Sequence, residues 1–185
     1  MKASVTLVIV AAMLSLLTAC SSPVNSPDPA ARIAVSSGWL YPALYPSGSS
    51  FALLRVYPEN SSLPANVALE AYQRYGKVIE RNLLANGYIQ SSPETADFLV
   101  RYGLALDADV SDAQMLAKFG ISSGLQSLEQ LQKASLLIYM LDPLSERLDY
   151  RSVAQGFMQD EGSSDEELEF EQRVVSSMLT QFYQE

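Results

Sequence analysis

Histidine is absent from all 185 residues, and cysteine occurs once, at position 20. Without histidine the chain lacks the commonest metal ligand, the usual general base near neutral pH, and any Ser-His-Asp or Cys-His constellation. A lone cysteine forbids an internal disulfide, so packing must hold the fold together. Basic residues are scarce as well: 12 Lys and Arg stand against 21 Asp and Glu, a formal net charge of −9. Nucleic-acid binding is thereby disfavoured, because such affinity comes largely from neutralising phosphates. No glycine-rich loop able to cradle a phosphate is found, and no cofactor is implied.

What is present starts with an address. Lys2 precedes an uncharged apolar run from Val5 to Leu17, followed by small residues leading to Cys20, the layout of a secretory signal. At 1.5 Å per residue this run spans about 20 Å, short of a bilayer core of roughly 30 Å, so it need not persist as a spanning helix. Leu17-Thr18-Ala19-Cys20 resembles the lipobox of bacterial lipoproteins. That resemblance implies cleavage between Ala19 and Cys20 and lipidation of Cys20, which becomes the first mature residue. It implies a diacylglyceryl thioether, usually with a third, amide-linked chain, and more than one chain makes anchoring stable. Lipoproteins kept in the inner membrane would have Asp after the cysteine, whereas this chain has Ser21. The expected address is the outer membrane, facing the periplasm. Loss of residues 1–19 leaves 166 residues and, with Lys2 gone, moves the charge from −9 to −10, enough chain for one core-bearing domain.

Residues 20–48 are rich in Ser, Pro and Ala and read as a lipidated tether, since prolines at 23, 27, 29, 42 and 46 oppose regular structure. Within it, Trp39-Leu40-Tyr41-Pro42-Ala43-Leu44-Tyr45-Pro46 is too apolar for a plain spacer, and packing back onto the domain is favoured over docking to a partner. The domain follows at 49–185. Ser50–Tyr57 has strand composition and ends at Pro58. Asn60-Ser61-Ser62 matches a glycosylation acceptor, an accidental match in a bacterial chain. Residues 67–86 predict a long helix, with Ala68, Tyr72, Tyr75, Ile79 and Leu83 on one face and Gly87 as its left-handed stop. Asp97–Leu106 reads as a strand placing Phe98, Val100, Tyr102 and Leu104 on one face and Leu99, Arg101, Gly103 and Ala105 on the other, which suits a sheet with one face under helices and one less buried.

Ser111-Asp112-Ala113-Gln114 looks like a capping box before a short helix carrying Met115 and Phe119 and stopped by Gly120. Ala134–Leu141 and Leu148–Phe157 form a hairpin around the turn at 142–146. Ser164 is placed to cap a last helix, with Asp165, Glu166 and Glu167 at its positive end and Leu168, Val174, Val175, Met178, Leu179 and Phe182 as its buried stripe. The expected fold is α+β: a mostly antiparallel sheet of about four to five strands with two main helices on one face.

Leu83-Leu84-Ala85-Asn86-Gly87-Tyr88, followed by Asp97-Phe98-Leu99-Val100-Arg101-Tyr102, resembles the centre of the DUF4136 lipoprotein family, where a helix ends in Gly-Tyr before an Asp-led strand. The hairpin Ser135–Arg151 is similar to the family's final hairpin, and the likeness runs over residues 49–183. The family has Trp-Arg where this chain has Tyr150-Arg151, and 107–133 matches no family pattern. The resemblance implies an envelope location and an α+β fold and transfers no catalytic residue.

The remaining constellations are weak. Asp107-Ala108-Asp109-Val110-Ser111-Asp112 resembles the start of a calcium loop but lacks its glycine, and Lys118 stands where a bidentate Glu is needed; no metal site is expected. The acidic stretch Asp160–Glu167 reads as helix capping before it reads as a patch for a basic partner. Arg101 and Arg151 each sit in an apolar strand and, if their faces align, could hold an anion in a shallow groove; the favoured reading is two edge or open-face arginines hydrogen-bonded to neighbouring acids. The functional expectation is a non-enzymatic, lipid-anchored envelope domain acting through protein contacts as an accessory or assembly component. The alternative is a binding module for a small envelope ligand (peptide, glycan fragment or anion), followed by a hydrolase working with carboxylates alone.

Overall fold

The computed structural model describes residues 32–41, 45–58, 61–158 and 164–184. The lipobox-like residues 17–20, Ser21, residues 42–44 of the aromatic segment, Asn60 and residues 160–163 of the acidic stretch lie outside them. Among the described residues no helix is long and apolar enough to cross a membrane.

Alternation and helical periodicity translate into elements near the expected limits. The strands are β1 (Ile33–Trp39), β2 (Ser50–Val56), β3 (Ile89–Gln90), β4 (Phe98–Leu106), β5 (Lys133–Leu141) and β6 (Leu148–Phe157). The helices are α1 (Ala65–Ala85), α2 (Asp112–Phe119) and α3 (Ser164–Leu179), the last running into a 3-10 turn at Thr180–Phe182. Helix α1 stops where glycine permits it. Gly87 has φ 86°, and Tyr88 N–H donates to the Leu83 carbonyl while Gly87 N–H donates to that of Leu84, closing the end in a Schellman motif. The capping box of α2 is complete, with Ser111 and Gln114 each bonding the other's backbone, and Gly120 ends the helix at φ 67°.

The six strands form one sheet in the order β1-β6-β5-β4-β2-β3. Antiparallel pairings join β1 to β6, β6 to β5 and β5 to β4, while β2 pairs in parallel with both β4 and β3. Three features depart from the expectation. Residues 33–39, assigned to the tether, form β1, because the proline-free stretch between Pro29 and Pro42 alternates Ile33, Val35, Ser37 and Trp39 and can add to β6. The sheet therefore has six strands rather than four to five. It is also mixed: the chain crosses over through α1 and returns β4 beside β2 in the same direction, as a strand–helix–strand crossover does.

Helices α1 and α3 pack on one face against Phe98, Val100, Tyr102, Leu104, Ile138 and Tyr150. The opposite face is covered too. Met115 of α2 and Ile121 bury Leu99, Leu137, Tyr139 and Val153, so the segment 107–133 is the lid of a second, smaller core.

Two residues of the aromatic segment, Trp39 and Tyr45, pack inward, while Leu40 and Tyr41 are exposed. The Trp39 ring stacks on Phe182 at 5.1 Å and meets Tyr150 edge-on at 5.3 Å, and its indole N–H donates to the Gln181 carbonyl. Tyr45 stacks on Phe98 at 4.5 Å and its hydroxyl donates to Asp149 at 2.6 Å. Tyr150 uses its hydroxyl to reach the Met178 carbonyl at 2.5 Å and ties β6 to α3.

Candidate functional site

The two strand arginines do share a face. Arg101 lies opposite Tyr139, and Tyr139 lies opposite Arg151, so the three form one row across β4, β5 and β6. Both guanidiniums have internal partners. Arg151 donates to the Phe119 carbonyl at 2.6 Å, at the C-terminal end of α2, where a cation is favoured. Arg101 lies 3.5 Å from Glu146 and counteracts the upward push of burial on the Tyr139 hydroxyl. Arg151 and Tyr139, both against Phe119, fasten the sheet to α2, while Arg101 reaches the β5–β6 turn.

The aspartates of the calcium-like run are likewise engaged. Lys133, only 2% exposed, places its Nζ 2.8 Å from Asp112 and 3.3 Å from Asp107 and donates to the Leu125 carbonyl. Gln155 donates to Asp112 at 2.5 Å and to Ser135 at 3.1 Å and accepts from Ser123. Asp109 accepts from the backbone N–H and hydroxyl of Ser62. Burial works against an ionised Asp112, but the bonds from Lys133 and Gln155 outweigh it and hold the carboxyl below its ordinary range. Among the described residues no cluster is arranged to hold a metal ion.

The opposite face is less complete. Between the N-terminal halves of α1 and α3 a groove of about 640 Å³ opens above the sheet, within the range of small-ligand sites. Its floor is Leu104, Leu106, Leu136 and Ala154, and its walls are Ala71 and Tyr75 from α1 and Phe170 and Val174 from α3. Ile33, Val67 and Met158 stand at its edge, each about 40% exposed. One wall residue is ionisable and buried: Glu171 is 3% exposed. Its Oε1 accepts from Arg74 Nε at 2.9 Å, and Arg74 also lies 3.8 Å from Glu167. The other oxygen, Oε2, is buried with no hydrogen-bond partner among the described residues. Burial pushes the Glu171 carboxyl above its ordinary range despite Arg74, and burial together with the charge of Glu171 pushes the Tyr75 hydroxyl up to about 12.

Sequence reasoning passed over Glu171, although a signal was there. Val174, Val175 and Met178 are buried on α3 while Leu168, expected beside them, is 38% exposed; position 171 falls on the buried face, so a carboxylate there interrupts an apolar row.

The family model described as a domain of unknown function, DUF4136, matches residues 45–182. The chain belongs to the DUF4136 family. No curated protein matches it significantly. Among solved structures it is similar to a DUF4136 family protein from Bacteroides thetaiotaomicron, at 14% identity and TM-score 0.55 over 82% of this chain and 97% of that one. It is similar to the PelC dodecamer from Paraburkholderia phytofirmans at 8% identity and TM-score 0.51, over 82% and 98%. A PDZ domain protein from Parabacteroides distasonis matches at 13% identity and TM-score 0.51, over 83% of this chain but only 36% of that one. At such identities the likeness shows that this DUF4136 chain shares their fold.

Proposed function

We propose that this DUF4136 protein is a periplasm-facing outer-membrane lipoprotein, held by lipid on Cys20, whose domain acts without catalysis as an accessory or assembly component through protein contacts. The observation that carries this reading is the position of Cys20, at the end of a lipobox-like run and 13 positions before Ile33, the first residue of β1. Fully extended, that length reaches about 45 Å, so an anchor there keeps β1 beside the membrane. Strand β1 is one of the two outer strands of the sheet, and among the described residues nothing pairs with its free edge. Its seven residues, IAVSSGW, include no charge and no proline, the guards that usually protect an edge from pairing. Such an edge favours recognition by strand addition.

The test has two parts. Cys20→Ala should abolish incorporation of labelled palmitate and sedimentation with membranes; lipid incorporation by that variant would sink the anchor. A photoreactive residue in place of Ser36 on β1 should crosslink a defined protein in intact cells, while the same residue at Leu144, 95% exposed in the hairpin turn, should not. Recovery of lipids and monomer alone from position 36 would sink the contact reading.

A further inference from the structure

We propose that the groove between α1 and α3 binds a membrane amphiphile whose apolar chain ends in a protonated amine, with the unpartnered Glu171 Oε2 accepting from the ammonium. Two observations meet here. The floor and walls are apolar, which provides for a hydrocarbon chain and nothing more specific. The buried carboxylate oxygen without a donor is the specific part, because an unmet buried acceptor costs stability and is retained in native proteins chiefly where something else satisfies it. An amine supplies both the donor and the charge that a carboxylate favours. A fatty acid would instead bring a third anion beside Glu171 and Glu167.

Access requires a small movement. Oε2 is closed from solvent, and the side chain of Arg74 beside it is 48% exposed, so Arg74 can turn aside and leave Glu171 to the incoming ammonium. The membrane is the favoured source because Ile33, which follows Cys20 by 13 positions, lies at the groove's edge. That source rests on the lipid anchoring proposed above; the chemistry of the groove does not.

The experiment uses the lipidated full chain on phosphatidylcholine vesicles, with photoreactive dodecyl chains ending in an amine, an alcohol or a carboxylate, and the label located by peptide mass spectrometry. The amine probe should label peptides from Val67–Tyr75 and Phe170–Val174 about tenfold more than the carboxylate probe, the preference that about 1.4 kcal/mol confers. Glu171→Gln should remove most of that preference while leaving apolar labelling in place. Ala71→Phe, which fills the groove and leaves every charge, should suppress labelling by all three probes. Equal labelling by amine and carboxylate, or label outside the groove, would overturn the proposal, as would an unchanged preference in Glu171→Gln. A soluble Leu-Leu-Lys peptide that competes as well as the free dodecyl amine would overturn the membrane source. Co-sedimentation with the vesicles is scored separately, so loss of anchoring is told apart from loss of binding.

Discussion

The two faces of the sheet solve the same problem differently. On the α2 face, Lys133, Asp112, Asp107, Gln155 and the arginine row carry most of the polar load, and each of these groups has a partner within the chain. On the α1 and α3 face the core is richer in aromatics and tyrosine hydroxyls bond backbone across elements, as Tyr72 does to Val56 and Tyr102 to Tyr72. Yet that aromatic-rich face holds the one buried side-chain oxygen left unmet among the described residues. Saturated charge fastens a segment in place, whereas an unmet charge in a groove marks a place for something else.

The comparison breaks most visibly if the fastening is cut. Lys133→Met removes the cation shared by Asp107 and Asp112 and leaves them facing each other with Gln155. Losing one partner of a buried ion pair costs up to several kcal/mol, but both carboxylates are about one-third exposed and recover part of this by hydration. We expect a loss of about 2–3 kcal/mol, read as a fall in the thermal unfolding midpoint. The pH dependence has a definite sign. Asp112 is held below its ordinary range when folded, so its contribution is present above the unfolded value, about 3.9, and is lost as the pH falls through the folded one. The gap between wild type and Lys133→Met should therefore narrow below about pH 4.

A smaller effect probes the tight packing of the other face. A Cβ on Gly76 would sit 2.4 Å from the Tyr102 hydroxyl and 3.2 Å from the ring carbon bearing it. Tyr102 cannot give way easily, being 1% exposed and bonded to the Tyr72 carbonyl at 2.8 Å. Gly76→Ala should gain about 1 kcal/mol of helix propensity and lose more through overpacking, about 1–3 kcal/mol, for a small net destabilisation in denaturant unfolding. A stabilised variant would mean that α1 can move off the sheet.

How much of this could be read from residues alone depends on how local the signal is. The Gly87 and Gly120 stops, the Ser111-Gln114 box and the face assignment of Phe98 to Ala105 are set within a few positions, and they stand as expected. Strand β1 was hidden because prolines on both sides outweighed a seven-residue alternation whose partner, β6, lies more than a hundred positions away. The parallel pairing of β2 with β4 was hidden because side-chain alternation is the same in both directions. At the arginine row the shared face stayed conditional, because the register of β4 against β5 is set across a long connection, and the use of Arg151 by the Phe119 carbonyl depends on where α2 docks. Glu171 was legible as a misfit on an apolar stripe. Its significance required knowing that Arg74 occupies only one of its oxygens.

The smallest effect runs in the opposite direction and bears most directly on the contrast between the faces. If Glu171 is retained for binding, it should be a liability to the empty fold. Its carboxyl is held above its ordinary range by burial, so the folded state holds this proton more tightly than the unfolded chain does. Its contribution is present below the unfolded value, about 4.3, and is lost as the pH rises through the folded one. Glu171→Gln keeps an oxygen for Arg74 and removes the ionisable carboxyl, so at pH 7 the ligand-free variant should unfold about 2–4 °C higher than wild type, equivalent to about 1 kcal/mol. The gain should shrink toward pH 4. A stability gain with loss of amine preference is the trade expected of a functional residue. A variant less stable at every pH would instead place Glu171 with Lys133, as part of the fastening.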